Sequence, residues 1–178
     1  MQPLEIERKY LIRRPSPAFL QSLPEADATE IEQTYLTRER EDFMRRVRKR
    51  GSAEKGWQYT CTQKKTIGFG KRIELEDEIT ESQYQALLQE ADPNLHTIRK
   101  VRWTFRFEGQ FFELDVYDFS EDTATLEIEL GDIDTPVTLP DGIELMEDVT
   151  GKRGYSNYAL AMHLAFPAAD DGQQEGSE

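Results

Sequence analysis

Cysteine occurs once in the chain, at Cys61, so no disulfide can form within it, a usage that fits a reducing compartment. Histidine occurs twice, and His96 and His163 stand too far apart for zinc-type ligand spacing. No apolar run approaches the roughly 18 residues of a membrane span. Met1 to Lys9 carries charges at Glu5, Glu7, Arg8 and Lys9 where a signal peptide would be apolar. These absences read as a cytoplasmic protein with no membrane partner. Basic charge is also in the minority: 22 Lys+Arg stand against 35 Asp+Glu, a net charge of −13. Such a chain repels long polyanions, which excludes nucleic acid as the main partner and leaves a small anion held together with a metal ion. The basic run Arg45 to Arg50 does not reverse this, because in a strand its alternate members face opposite sides.

What is present is charge in quantity: 32% of the 178 residues, against 37% hydrophobic. That length suits one domain, expected over residues 1–166. The closing stretch 167–178, PAADDGQQEGSE, is small, polar and acidic and reads as a disordered tail. Three segments read as helices: Pro15 to Leu23 with Ser16 as N-cap, Thr80 to Ala91 opened by Thr80 and Gln83 at capping-box spacing, and Tyr155 to Phe166. Eight segments alternate with period two and read as strands: 4–13, 31–37, 43–50, 57–65, 71–79, 99–107, 110–118 and 124–131. Glu108-Gly109 joins two of them as a tight hairpin, and Gly68 and Gly70 mark another turn.

Residues two apart on a strand share a face. One face collects Glu5, Glu7 and Lys9; then Arg46, Arg48 and Arg50; then Thr60, Thr62 and Lys64. It continues with Arg72, Glu74, Glu76 and Glu78, with Lys100, Arg102, Thr104 and Arg106, with Glu113 and Asp115, and with Glu127 and Glu129. The other face carries Ile73 and Leu75, the aromatic run Trp103, Phe105 and Phe107, then Leu114, Val116, Leu126, Ile128 and Leu130. Cys61 falls on this apolar side, as a core residue and not a nucleophile. The charges are sorted by strand, basic on some and acidic on others, with few neutral polar residues between. A solvated face needs no such sorting, whereas a closed barrel does, because opposite charges must face each other across its lumen to offset desolvation. The expected fold is therefore α+β: a closed eight-stranded antiparallel β-barrel with helices packed on its apolar outside.

A lumen holding both signs suits phosphoryl transfer, which needs positioning, charge neutralisation and a bridging metal more than covalent help. Arg and Lys suit phosphate oxygens; clustered carboxylates suit the hard cations Mg2+ or Mn2+.

The motifs along the chain resemble those of the CYTH superfamily, the triphosphate tunnel metalloenzymes. Glu5-Ile6-Glu7-Arg8-Lys9 is similar to its ExExK strand, Arg46-Val47-Arg48 to RxR, Thr62-Gln63-Lys64 to TxK and Arg72-Ile73-Glu74-Leu75-Glu76 to RxExE. Lys100-Val101-Arg102 resembles KxR, Glu113-Leu114-Asp115 and Glu127-Ile128-Glu129 the two late acidic strands, and Asp148-Val149-Thr150 with Lys152 and Tyr155-Ser156-Asn157 the closing segment. Asp148 stands where the family commonly has Glu, and Pro140-Asp141-Gly142-Ile143 departs from its usual Pro-x-Trp-like stretch.

The resemblance implies a tunnel that hydrolyses the terminal phosphate of a triphosphate with Mg2+ or Mn2+. It implies phosphate binding by Lys9, Arg46, Arg48, Lys64, Arg72, Lys100, Arg102 and Lys152. It implies metal binding by Glu5, Glu7, Glu127 and Glu129, with Glu74, Glu76, Glu113, Asp115 and Asp148 as further acidic positions for metal, water or support of the basic groups. Lys9 would orient the attacked phosphate or its water, with Glu5, Glu7 and Asp148 completing the catalytic set. The leading expectation is an inorganic triphosphatase, monomer or homodimer, with a small-molecule triphosphate as partner. Alternatives are a hydrolase of thiamine or nucleoside triphosphates, a class IV-type adenylate cyclase, and a non-catalytic polyphosphate-binding module.

Overall fold

The structure is a computed structural model that describes residues 6–68, 71–132 and 134–168, and of Lys71 and Arg72 only the backbone. Glu5, Gly70 of the expected turn and the expected tail from residue 169 onward lie outside the described residues. In chain order the elements are β1 (Ile6–Arg13), α1 (Pro17–Ser22), β2 (Asp27–Tyr35), β3 (Phe43–Ser52), β4 (Gly56–Gly68), β5 (Lys71–Ile79) and α2 (Glu81–Leu88). They continue with β6 (Ile98–Phe107), β7 (Gln110–Tyr117), β8 (Thr123–Leu130), β9 (Leu145–Asp148), a 3-10 turn at Arg153–Tyr155, and α3 (Asn157–His163). Eight strands stand where the alternation placed them; β9 is additional.

The pairings of β1 with β8 and β9, β3 with β2 and β4, β4 with β5, and β7 with β6 and β8 are all antiparallel, and among the described residues β5 pairs with β4 alone and β9 with β1 alone. The expected antiparallel sheet is present with nine strands in place of eight, and among the described residues no pairing closes it into a barrel. At one end, exposed Glu74, Glu76, Asp77 and Glu78 crowd β5 with negative charge, which discourages a further strand from adding. At the other, β9 has four residues and meets β1 through a register shift between Leu11 and Ile12.

The chain forms two compact units, Met1–Ala28 with Lys100–Ser156 and Ala165–Glu178, and Thr29–Arg99 with Asn157–Leu164. In the first, β7 pairs with β6 and β8, and β1 with β8 and β9. The β6–β7 hairpin turns at Glu108 and Gly109, whose φ of 50° and 74° give the two left-handed positions of a type I′ turn. The expected apolar face is the core: Phe105, Phe112, Leu114, Leu126 and Ile128 are all but sealed from solvent, with Phe105 and Phe112 stacked at 5.1 Å. Each such side chain contributes about 1.5–3 kcal/mol by its removal from water. Leu20 of α1 and Leu23 cap this core; Ser16, as expected, accepts from Phe19 N at the helix start. Ile143 and Gly142 of the departing Pro140–Ile143 stretch also pack here, Gly142 at φ +98° with its backbone against the Phe19 ring.

In the second unit β3 pairs with β2 and β4, and β4 with β5. The capping box of α2 forms as its sequence indicated: Thr80 Oγ1 accepts from Gln83 N, and Gln83 Oε1 from Thr80 N. Tyr84 of this helix seals Val47, Tyr59 and Cys61. Further along the hairpin, Ile67, Ile73 and Leu75 are exposed, so the apolar side of β5 is not covered as expected. α3 also departs from its expected place over an apolar face, since Tyr158 meets Tyr35 edge-on at 5.4 Å, on the side of β2 that faces Arg46 in register.

Candidate functional site

Each unit presents one charged face, fixed by strand register. In the first unit Lys9 lies opposite Glu127 and Glu7 opposite Glu129, while Glu113 pairs with Glu127 and Asp115 with Arg102. Directly paired residues point the same way, so these side chains share a face. Lys9 Nζ donates to Tyr155 O at 2.6 Å and stands 3.3 Å from Glu127 Oε1. Glu7 and Glu127 are hydrogen-bonded to one another. The hydrogen bond that Glu7 donates to Glu127, aided by burial and by the negative charge of Glu127, pushes Glu7 up to about 7. Burial raises Glu127 as well, but the bond it accepts from Glu7 and the Lys9 ammonium hold it below its ordinary value. Glu129 is exposed beside them.

Asp115 stands among basic groups, and support of those groups is one of the roles expected of it. Its Oδ1 accepts from Arg102 Nε at 2.8 Å, and its Oδ2 accepts from Lys100 Nζ at 2.8 Å and Arg102 Nη2 at 2.9 Å. Arg102 Nη1 reaches Glu113 at 2.6 Å. Burial alone would raise the Asp115 carboxyl, yet Lys100 and Arg102 together hold it well below the carboxylate range. With side chains 1% and 4% exposed, Lys100 and Asp115 form a sealed ion pair.

Asp148 stands apart from its expected place. The register sets it opposite Tyr10, on the other side of β1 from Lys9, and its Oδ1 accepts from Thr150 N and Thr150 Oγ1 at 3.0 and 2.6 Å. Thr150 Oγ1 in turn accepts from Lys9 N at 3.0 Å, so Asp148 secures the turn that closes on β1. Its neighbour Glu147, opposite Leu11, is the residue on the Lys9 side, and it pairs with Lys152.

In the second unit Arg48 faces Gln33 and Thr60, and Arg46 faces Tyr35 and Thr62. Gln33 Oε1 accepts from Arg48 Nε and Nη2 at 3.2 and 3.0 Å, and Gln33 Nε2 donates to Tyr35 Oη at 3.2 Å. Tyr35 also bonds Arg46, whose buried Nε has no hydrogen-bond partner among the described residues. Thr62 donates to Glu76 at 3.1 Å, and Lys64 stands 3.9 Å from Glu74. The Arg72 side chain lies outside the described part.

A family model of the CYTH domain matches residues 3–157. The chain belongs to the CYTH family. Among solved structures it is similar to the inorganic triphosphatase NE1496, at 27% identity and a TM-score of 0.65, over 93% of this chain and 97% of that one. A second structure, of "the hypothetical protein NE1496", gives 28% identity and a TM-score of 0.65 over 92% and 100%. No curated protein sequence matches.

CYTH triphosphate tunnel metalloenzymes depend on a metal, so the donor set needs testing against one. Among the described residues no group of three or more His, Cys, Asp or Glu side chains forms a metal cluster. Of the further acidic positions, Glu74 stands 3.9 Å from Lys64 and Glu76 accepts from Thr62, while Glu113 and Asp115 are bonded to cations. Glu7 and Glu127 do fit. Two carboxyl groups joined by a hydrogen bond can exchange its proton for a hard cation, and Mg2+ is content with one or two carboxylates plus water and phosphate oxygens.

Three residues of this CYTH chain escape a charge-based reading. Gln33 and Tyr35 are neutral and lie on a strand whose same-face neighbour is Ile31, so no charge alternation marks them. The period-two parity of β2 was the signal available. Glu147 belongs to a strand too short to show a period.

Proposed function

We propose that this CYTH protein hydrolyses inorganic triphosphate to pyrophosphate and phosphate with the help of Mg2+ or Mn2+. The observation that carries the reading is the Lys9 ammonium standing 3.3 Å from Glu127, beside the hydrogen-bonded Glu7–Glu127 pair. A phosphate-binding cation and a metal-binding carboxylate pair are thereby set side by side on one sheet face. The 27% identity with an inorganic triphosphatase supports the substrate. Glu7 and Glu127 would hold the cation, assisted by Glu129 and by Glu5, and a cation there would supply charge to neutralise phosphate oxygens and to polarise water. Lys9 holds a phosphate oxygen in place, its ammonium anchored from behind by the Tyr155 carbonyl. Lys100 and Arg102, fixed by Asp115, add positive potential; Arg46, Arg48, Lys64 and Arg72 are assigned to phosphate oxygens, and Lys152 to the same role. The partner is a small triphosphate, with neither nucleic acid nor membrane involved.

A substrate panel tests this reading. Inorganic triphosphate, ATP, thiamine triphosphate and longer polyphosphate are each incubated with Mg2+ and with Mn2+, and phosphate release is measured. Inorganic triphosphate is expected to turn over fastest, and only with metal. Preference for ATP or thiamine triphosphate would move the assignment to an organic triphosphate, and no turnover of any of the four would leave a binding module.

Glu127→Gln is expected to weaken apparent Mg2+ affinity at least about tenfold, since even the partners behind metal ligands are worth that much. It also removes the negative charge of Glu127 that helps to raise the Glu7 pKa. Proton release on Mg2+ binding at pH 6, read by calorimetry in two buffers of different ionisation enthalpy, should be present in the unmodified protein. It should be smaller in the variant. Unchanged metal affinity and proton release would remove Glu127 from the metal site.

A further inference from the structure

Arg102 and Arg48 differ in the groups that form a two-pronged bond with them. Arg102 is oriented by carboxylates, Asp115 and Glu113. Arg48 is oriented by the side-chain amide of Gln33, which accepts from two of its nitrogens at once. Gln33 is itself completely buried, and its position is fixed at both ends. An arginine has donors only, so the amide oxygen must point at Arg48. The amide nitrogen then points at the Tyr35 hydroxyl, and Tyr35 continues to Arg46. A two-pronged bond to an arginine is ordinarily made by a carboxylate, which brings a negative charge with it. Gln33 makes the same fork without that charge.

We propose that Gln33 is a positioning residue for triphosphate binding: it fixes the Arg48 guanidinium in one orientation while adding no negative charge beside the bound anion. The inference rests on the reading of Arg48 as a phosphate ligand. A purely structural Gln33 would need only shape and a bond to Arg48. A glutamate supplies both, being isosteric and able to form the stronger, charged fork. The two roles therefore make opposite predictions for one substitution.

The test is calorimetric binding of inorganic triphosphate, without metal, to the unmodified protein and to Gln33→Glu and Gln33→Ala, paired with steady-state kinetics in Mg2+. Gln33→Glu is expected to keep or raise the melting temperature while the Kd for triphosphate rises at least about tenfold, as a carboxylate close to a polyanion demands even at high effective dielectric. KM should rise more than kcat falls, because the lost interaction is already present in the ground state. Affinity in Gln33→Glu should recover as pH is lowered and the introduced carboxyl takes up a proton, a dependence absent from Gln33→Ala. Gln33→Ala is expected to bind weakly at every pH, since Arg48 then loses its orientation. A folded Gln33→Glu that binds triphosphate as tightly as the unmodified protein overturns the proposal and leaves the triphosphatase reading intact. An unmodified protein that binds no triphosphate overturns that reading and, with it, this one.

Discussion

Replacing Asp115 with asparagine is expected to cost about 3–5 kcal/mol of stability, because it leaves two cations without their buried counter-charge. Lys100 loses the carboxylate that meets it at 2.8 Å, and its ammonium has a side-chain exposure of only 1%. Arg102 keeps Glu113 but loses its two-pronged partner. In a chain of this size the loss corresponds to a fall in Tm on the order of 10 °C. The pH dependence identifies the cause. The Asp115 carboxyl is held below its unfolded-state value, so its contribution is complete above that value and lost as pH falls through the folded one. The stability gap between the unmodified protein and Asp115→Asn should therefore narrow below about pH 4. Burial already lowers the Lys100 ammonium, the attraction of Asp115 opposing it. Without that attraction the folded state binds the Lys100 proton less well than the unfolded chain does, and the variant should gain stability toward alkaline pH. Urea melts from pH 3 to pH 10 would show both trends. A Tm within a degree or two of the unmodified protein would mean that Lys100 and Arg102 find other partners.

The same residue marks how far the sequence could be read. Alternation placed Asp115 and Glu113 on one face and Leu114 and Val116 on the other, and the structure buries Leu114 and Val116 in the core. Alternation cannot say which side chain lies next to which. That depends on register, and the register of β6 against β7 brings Arg102 to Asp115. Two carboxylates of similar sequence setting consequently have different surroundings: Glu127 meets another carboxylate, and Asp115 meets two cations. The local signals were more complete. Ser16, Thr80 with Gln83, and Glu108-Gly109 each involve neighbours a few residues apart, and all three form as their spacing indicates. Closure was the weakest inference, since charge sorting says that opposite charges face one another and nothing about whether the strand ends meet. Exposed, four-residue β9 carries no period to detect, and its pairing to β1 decides that Glu147 rather than Asp148 lies on the Lys9 side.

Lys9→Ala is expected to produce the largest loss of turnover, on the order of 100- to 1,000-fold in kcat, the range for removing one preorganised charge from a site of developing negative charge. The ammonium is well suited to that task. Its side chain is 15% exposed, and it is fixed from two directions, by the Tyr155 carbonyl at 2.6 Å and by Glu127 at 3.3 Å. Little reorganisation is then needed as charge gathers on the phosphate oxygens. The carbonyl end of this tether is neutral, so it orients Lys9 without consuming its charge. Glu127 does offset that charge, and a divalent cation on Glu7 and Glu127 would draw the carboxylate toward itself and leave the ammonium to the substrate. Metal and lysine should therefore act together: the activation of Lys9→Ala by Mg2+ should be smaller than that of the unmodified protein. Lys9→Arg should not restore the rate, because a planar fork cannot take the place of a compact ammonium against one carbonyl oxygen. A kcat for Lys9→Ala within threefold of the unmodified protein, with only KM raised, would reduce Lys9 to a ground-state phosphate contact and shift the source of transition-state stabilisation to the metal.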